Sequence, residues 1–277
     1  MEETLTISIA APTARILLVD DNAVVLHVVS SQLAEYDCLI TTATGGREAL
    51  DILEREEFDL ILMDHMMPGM DGIETVGRLR RMEQSRGLCT PVIALTGNLS
   101  SGSREMFLSH GFQDYLPKPV DAAELDRIMR QYLPDYRIIE RVQPVERKQE
   151  RKDALSPETV ALLEASPLFD YREAKRNRID PENLVLFSKS AEKAGEELGV
   201  LYFKKEWKAY TIMVHALKTS SRMVGAMGLS ELAEQSETAS KEADEERVKE
   251  LHPILLEQLE EVLRLVRQAI QIEKEKG

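Results

Sequence analysis

The first half of the chain alternates short apolar or β-branched runs with longer amphipathic stretches. Five runs occupy residues 16–19, 39–43, 60–63, 92–95 and, more weakly, 114–116. The stretches between them have the apolar spacing of helices and cover residues 23–36, 47–56, 71–84, 103–110 and 122–133. Buried strands that alternate with helices at this spacing predict an α/β, doubly wound fold around a five-stranded parallel sheet.

Polar side chains stand where these predicted strands end. They are Asp20, Asp21, Asp64, Thr96 and Lys118. Because ligands of parallel sheets gather at the carboxyl ends of the strands, we expect these side chains to converge. Three carboxylates suit Mg²⁺, and one of them can act as a nucleophile toward a phosphoryl group. A fixed ammonium and a hydroxyl would then stabilise the charge that develops during the transfer.

Four motifs in this half resemble those of the response regulator receiver domain in order, spacing and context: LLVDDN, LILMDHMMPGMDG, IALTGN and DYLPKP. The resemblance covers residues 14–135 and implies a flavodoxin-like fold. It implies that Asp64 is the phosphoacceptor and that Lys118 is its ion-pair partner. It further implies that Thr96 and Tyr115 are switch residues.

The same resemblance implies a magnesium site. Asp21 is expected to bind the ion directly, and Asp20 directly or through water. Asp64 and the main-chain carbonyl of Met66 are expected to complete the ligand set.

The second half of the chain has no strand signals. Ser156-Pro157-Glu158-Thr159 resembles a helix start, and four long amphipathic helices are predicted from about residues 181, 206, 229 and 246. Such helices with short connections predict an all-α bundle over residues 156–277. Residues 136–155 are highly charged and are expected to form a linker, in part helical. Residues 1–13 are expected to form an N-terminal tether.

One helix of this bundle carries a candidate nucleophile, His215. Positions 210, 214, 217, 221 and 224 form an inward-facing stripe, which places His215 and Lys218 on the exposed flank of the helix. The string HALKTSSRMVGA resembles the motif of the histidine phosphotransfer (HPt) domain. That resemblance implies that His215 carries a phosphoryl group and that Lys218 holds its oxygens. Thr219 stands where the family commonly has glycine, and it is expected to restrict the docking of a partner.

Composition excludes several classes of protein. The net charge of -14 argues against nucleic-acid binding, which needs clustered Lys and Arg. No apolar run approaches the roughly 20 residues that span a bilayer, and the N-terminus has no basic signal region. Cys38 and Cys89 are expected to be buried, reduced thiols. We therefore expect a cytoplasmic protein that makes no direct membrane contact, and the resemblance to receiver and HPt domains implies a bacterial one.

These features predict a two-component phosphorelay protein that accepts a phosphoryl group on Asp64 and exchanges phosphoryl groups through His215. Histidine kinases and other receiver or HPt domains are the expected partners. No Gly-rich ATP-binding box accompanies the motifs, so an autonomous kinase is not expected, whereas self-dephosphorylation stays open. Two alternatives remain. The chain could be the C-terminal part of a larger hybrid sensor histidine kinase, or a phosphorylation-gated interaction module without histidine transfer.

Overall fold

A computed structural model describes residues 5–97, 103–144 and 154–276. The chain forms two compact units, one mainly from the first 151 residues and the other mainly from residue 152 onward. The first unit is an α/β domain and the second is helical. This division agrees with the two classes of structure that the sequence predicts.

The described part of the first unit contains seven strands. They are β1 (Leu5–Ala10), β2 (Arg15–Val19), β3 (Leu39–Ala43), β4 (Leu60–Asp64), β5 (Val92–Thr96), β6 (Asp114–Pro117) and β7 (Ile139–Pro144). Strands β2 to β6 form one parallel sheet in the order β3-β2-β4-β5-β6, which is the flavodoxin-like order. The predicted five-stranded parallel sheet is confirmed.

Five helices follow these strands. They are α1 (Ala23–Leu33), α2 (Gly46–Leu53), α3 (Gly72–Arg86), α4 (Ser103–Ser109) and α5 (Ala122–Tyr132). Apolar side chains of α2, α3 and α4, among them Leu50, Val76 and Phe107, join the core cluster that includes Leu17 and Ile61 of the sheet. In β4, in β5 and in β2 from Ile16 onward the alternate residues are buried as well, which explains why these three strands read as continuous apolar runs.

The two remaining strands lie where the sequence predicted a tether and a charged linker. β1 and β7 pair antiparallel, with Leu5 opposite Pro144 and Ala10 opposite Ile139. No strand was predicted in either segment, and the expectation of helix in the linker is wrong for residues 139–144. Each strand finds its hydrogen-bonding partner more than a hundred residues away along the chain. The alternation of apolar and polar residues in LTISIA was the local signal for β1, whereas IERVQP of β7 has no such alternation. Residues 145–153 of the predicted linker lie outside the described residues.

The second unit contains six helices in its described part. They are α6 (Pro157–Glu164), α7 (Tyr171–Arg176), α8 (Pro181–Lys204), α9 (Trp207–Val224), α10 (Met227–Lys241) and α11 (Glu245–Lys274). The predicted cap at Ser156 is present, since its side chain accepts a hydrogen bond from the Thr159 amide. Asp180, which was not predicted as a cap, forms a capping box with Asn183 at the start of α8. The short helix α7 was not predicted. The helical bundle is confirmed.

Side chains at the α8–α9 end of the bundle pack around His252 of α11. The imidazole stacks on the Tyr202 ring with centroids 4.0 Å apart, and its Nδ1 lies 3.2 Å from the buried Tyr210 hydroxyl. Pro253 follows within the same helix, which continues to Lys274 without the break that a proline predicts. Burial lowers the pKa of His252, because the charged imidazolium is disfavoured away from water.

Two further expectations can be compared with the structure. No helix in the described ranges is long and apolar enough to cross a membrane. Cys38 is half-buried and Cys89 is exposed, and both are free thiols. Both thiols were expected to be buried, and this expectation is wrong for Cys89. Cys89 lies in the loop between α3 and β5, where its side chain has no core to enter.

The lowered pKa of His252 predicts that the bundle loses stability in mild acid. The unfolded chain binds the proton more tightly, so stability is complete above the unfolded pKa of about 6.5 and declines as pH falls below it. Chemical denaturation of the bundle followed by circular dichroism should show this decline. The variant His252→Gln should be less stable at pH 8, but its stability should depend less on pH below 6.5. If the free energy of unfolding fell with pH equally steeply in both proteins, His252 would not be the group responsible.

Candidate functional site

Four neighbouring strands bring the predicted residues of the first unit to one edge of the sheet. Asp20 and Asp21 follow β2, and Asp64 ends β4. Thr96 ends β5, and Lys118 follows β6. All four strands are parallel, so their carboxyl ends share this edge. The predicted convergence is therefore present.

The three carboxylates and the ammonium form a compact, buried cluster. One oxygen each of Asp20, Asp21 and Asp64 lies within 4.8 Å of the others. The Lys118 Nζ lies 2.5 Å from Asp20 Oδ2 and 2.9 Å from Asp64 Oδ2. The side chains of Asp20, Asp64 and Lys118 are at most 2% exposed, so their interactions are only weakly screened by water.

Burial and charge shift the pKa values in this cluster in opposite directions. Burial, assisted by the neighbouring Asp64 charge, raises the pKa of Asp21 to about 6. Burial likewise raises the pKa of Asp20 to about 8 against the opposing effect of Lys118. For Asp64, burial acts to raise the pKa, but Lys118 and His65 outweigh it and hold the pKa at about 2. Asp64 is therefore the carboxylate that stays ionised and available as a nucleophile.

The turn after β4 fixes the position of Asp64. The Met66 amide donates a hydrogen bond of 3.2 Å to Asp64 Oδ1, and the Asp71 side chain caps α3 by accepting from the Glu74 amide. A Cβ atom at Gly72 would lie 2.2 Å from the Asp64 carbonyl oxygen, so glycine alone permits this close approach. The Met66 carbonyl remains a predicted metal ligand.

The two predicted switch residues occupy the neighbouring strands. Thr96 is 1% exposed, and its carbonyl accepts a 2.7 Å hydrogen bond from the Lys118 amide. Tyr115 is half-buried and packs against the core cluster beneath α4. Both residues lie on strands whose carboxyl ends reach the edge of the acidic cluster, and their switching role stays a prediction.

The donor set of the acidic cluster fits a hard divalent cation. Three carboxylates supply the oxygen ligands that Mg²⁺ prefers, and Lys118 supplies only one positive charge against them. The raised pKa values of Asp20 and Asp21 indicate that the cluster accommodates its full negative charge poorly without a further cation.

Replacing Asp21 with asparagine should stabilise the metal-free protein and weaken its response to Mg²⁺. Since the folded pKa of Asp21 is raised, its ionised form opposes folding at neutral pH, and Asp21→Asn should gain about 1–2 kcal/mol. The unaltered protein should gain about 2.7 kcal/mol from Mg²⁺ at a hundredfold excess over Kd, and the variant less at the same concentration. Thermal unfolding with and without Mg²⁺ measures both effects. Asp126→Asn, on the exposed face of α5, is the control, and an equal Mg²⁺ response in both variants would contradict the site.

In the second unit, the side chain of His215 of α9 is hydrogen-bonded to the carboxylate of Glu237 of α10. The imidazole Nδ1 lies 2.9 Å from Glu237 Oε1, and the Lys218 Nζ lies 2.6 Å from Oε2. The side chains of His215, Lys218 and Glu237 are each 4% exposed. Glu237 thus joins the predicted pair of His215 and Lys218 and contacts both side chains from α10. A helical wheel of α9 could not include Glu237, which comes from the adjoining helix and pairs with both side chains.

The bond to Glu237 selects one tautomer of the neutral imidazole. Burial alone would raise the pKa of Glu237, but hydrogen bonds from His215, Lys218 and Lys241 hold it far below its usual range. An ionised carboxylate can only accept, so Nδ1 must carry the hydrogen. The lone pair then resides on Nε2, which is the nitrogen able to attack phosphorus.

Thr219 lies one helical turn after His215, as predicted. Its Oγ1 donates a 3.1 Å hydrogen bond to the His215 carbonyl, and the side chain is 6% exposed. The hydroxyl is thus committed to the backbone of α9. Its expected effect on partner docking stays a prediction.

The sequence reasoning did not identify Glu237 or Lys241. Both belong to α10, which has no recognisable motif of its own. Glu234, Glu237 and Lys241 recur at helical spacing on one face of α10, and this was the available signal. This spacing indicates a role at the site only once α10 is known to pack against α9.

Replacing Glu237 with glutamine should abolish the tautomer preference of His215. A glutamine amide can present either its oxygen or its nitrogen to Nδ1, so both neutral tautomers become accessible. ¹⁵N NMR of labelled histidine distinguishes them directly. The unaltered protein should show the Nδ1–H form, Glu237→Gln a mixture, and the control Glu234→Gln the unaltered pattern. An Nε2–H form in the unaltered protein would refute the assignment.

Comparisons with known proteins agree with this architecture. The family model "Response regulator receiver domain" matches residues 16–130, and the model "Hpt domain" matches residues 182–272. Sensor histidine kinase GacS of Pseudomonas protegens is 30% identical over 244 residues, which cover 88% of this chain and 26% of that protein. The transcription factor SKN7 of Saccharomyces cerevisiae is 36% identical over 120 residues, which cover 43% of this chain and 19% of that protein.

Among solved structures, the receiver domain of sensor histidine kinase PA1611 from Pseudomonas aeruginosa is 38% identical. The match covers 43% of this chain and 97% of that one, with a TM-score of 0.40, and that structure has a magnesium ion coordinated in its active site cleft. The two family models match successive parts of the chain. The chain therefore belongs to the proteins in which a response regulator receiver domain is followed by an Hpt domain.

Proposed function

We propose that this chain carries phosphoryl groups on two residues, Asp64 of the receiver domain and His215 of the Hpt domain. The observation that carries the proposal is the setting of Asp64. Its carboxylate stays ionised while Lys118 and two further carboxylates surround it. An ionised, buried carboxylate beside a fixed cation is suited to attack phosphorus.

At the receiver site, an oxygen of Asp64 attacks the phosphorus of a phosphohistidine or small acyl phosphate. A new O–P bond forms, the donor's bond to phosphorus breaks, and the donor leaves with its electron pair. Lys118 Nζ, already 2.9 Å from Asp64, is placed to pair with the transferred oxygens, and Thr96 can donate its hydroxyl. Asp20, Asp21, Asp64 and the Met66 carbonyl would hold Mg²⁺, which neutralises charge on the phosphoryl oxygens.

At the Hpt site, His215 Nε2 attacks the phosphorus of an aspartyl phosphate and the carboxylate leaves. The ring becomes positively charged as the N–P bond forms, and Glu237 accepts the Nδ1–H throughout the step. The carboxylate therefore orients the ring and stabilises its developing charge. Lys218 Nζ is close enough to Glu237 to turn toward the arriving phosphoryl oxygens.

The kinase that supplies Asp64 could be a separate protein or part of the same polypeptide. The similarity to GacS extends across 88% of this chain and 26% of that sensor kinase, which favours a role like that of the receiver–Hpt part of a hybrid kinase. We accordingly propose histidine kinases and other receiver domains as the partners. The direction of flow between them stays open.

Two complementary variants test the proposal. Asp64→Asn retains only His215, and His215→Gln retains only Asp64. His215→Gln should take label from a small acyl phosphate in the presence of Mg²⁺ and, after purification, should pass it to Asp64→Asn. A chain with both substitutions is the control and should take up no label.

The outcomes separate the candidate functions. If Asp64 becomes labelled but His215 never receives a phosphoryl group, either from this receiver or from an added partner receiver, the chain is only a phosphorylation-gated interaction module. No label on Asp64 from either an acyl phosphate or a phosphorylated kinase would refute the receiver assignment as well.

A further inference from the structure

Lys241 is a cation at the Hpt site that neither motif includes. It lies on α10, one turn after Glu237, and its Nζ is 2.5 Å from Glu237 Oε1. The same oxygen accepts the hydrogen bond from His215 Nδ1, at 2.9 Å. Lys241 and His215 therefore share a single carboxylate oxygen, whereas Lys218 binds the other oxygen.

The charged groups of α9 and α10 that meet at the Glu237 carboxylate act on the imidazole in opposite directions. Glu237 alone would favour the imidazolium form, because a carboxylate in contact with Nδ1 stabilises a positive ring. Lys218 of α9 and Lys241 of α10 offset that effect, and Glu234 of α10 lies 3.9 Å from Lys218 with its side chain 47% exposed. A protonated ring has no lone pair on Nε2 and cannot attack phosphorus.

We propose that Lys241 is a positioning residue that acts through Glu237 and holds the His215 imidazole in its neutral, nucleophilic form. The proposal rests on the proposed role of His215 as a phosphoryl acceptor. Lys241 competes for the oxygen that would otherwise be free to stabilise the imidazolium. The carboxylate can then fix the tautomer and orient the ring without drawing a second proton onto it.

The exposure of the two lysines distinguishes their roles. Lys218 has a side chain that is 4% exposed, so it is part of the buried site. The Lys241 side chain is 44% exposed, and its ammonium reaches Glu237 from the rim of the α9–α10 contact. A substitution at Lys241 therefore removes a charge without leaving a cavity in the bundle.

The experiment compares three variants of the full chain. Lys241→Met removes the charge, and Lys241→Arg retains it. Lys249→Met is a matched control, because the Lys249 side chain is also 44% exposed and forms a 2.6 Å ion pair with Glu246 within its own helix. Two quantities are measured: the pKa of His215 by ¹⁵N NMR, and the pH profile of phosphoryl transfer to His215 from a phosphorylated receiver domain.

Lys241→Met should raise the His215 pKa by about 0.5–1 unit and shift the acid limb of the transfer profile by the same amount. On that acid limb the rate of phosphoryl transfer to Lys241→Met should be roughly three- to tenfold lower than to the unaltered chain, and at alkaline pH the two rates should be equal. Lys241→Arg and Lys249→Met should match the unaltered chain. A His215 pKa in Lys241→Met that equals that of Lys249→Met would overturn the proposal. If His215 takes no phosphoryl group in any protein, the proposed function fails, and the NMR titration still decides the role of Lys241.

Discussion

The receiver site depends on one buried ion pair network, in which the Lys118 ammonium lies between Asp20 and Asp64. A buried ammonium is tolerated only when it is paired, and buried carboxylates need a cation for the same reason. The order of the five strands brings these groups to one edge of the sheet, although they are far apart along the chain. The parallel sheet thus supplies the geometry, and Lys118 makes the resulting concentration of negative charge tolerable. The remaining excess of carboxylates is what suits the site to a divalent cation.

The Hpt site uses the reverse arrangement of charge. There a single carboxylate, Glu237, accepts hydrogen bonds from an imidazole and two ammonium groups. The difference follows from the nucleophiles. A carboxylate needs cations both to stay ionised and to receive a phosphoryl anion, whereas an imidazole must stay neutral and correctly oriented. Each site surrounds its nucleophile with the charge that keeps it reactive.

The parallel sheet, the residues of the receiver site and the helices of the bundle could be predicted from the sequence, because each gives a local signal in the chain. Buried strands form unbroken apolar runs, and the site residues Asp64 and Lys118 stand directly after such runs or at their ends. Helices of the bundle begin at recognisable caps such as Ser156 and Asp180. The ends of parallel strands meet by topology, so convergence of these residues follows once the sheet is inferred.

The features that escaped prediction depend on contacts between distant segments. β1 and β7 form strands by pairing with each other, and only β1 shows an alternation of apolar and polar residues along its sequence. The partner of His215 does not show in the sequence of α9, because Glu237 of α10 contacts Nδ1 and changes the chemistry of the ring. Pro253 predicts a break in α11, yet the helix continues through it. Packing of α11 against α8 and α10 evidently outweighs the lost backbone hydrogen bond.

The central claim is that one chain carries two chemically different phosphoryl groups. ³¹P NMR of the unaltered protein, incubated with Mg²⁺ and a small acyl phosphate, tests it directly. The account predicts two protein-bound signals. One belongs to an acyl phosphate and disappears in mild alkali, and the other belongs to a phosphohistidine and survives alkali but disappears in acid. The account would be contradicted if only the alkali-labile signal appeared and no phosphohistidine signal formed even when phosphorylated partner receivers were added.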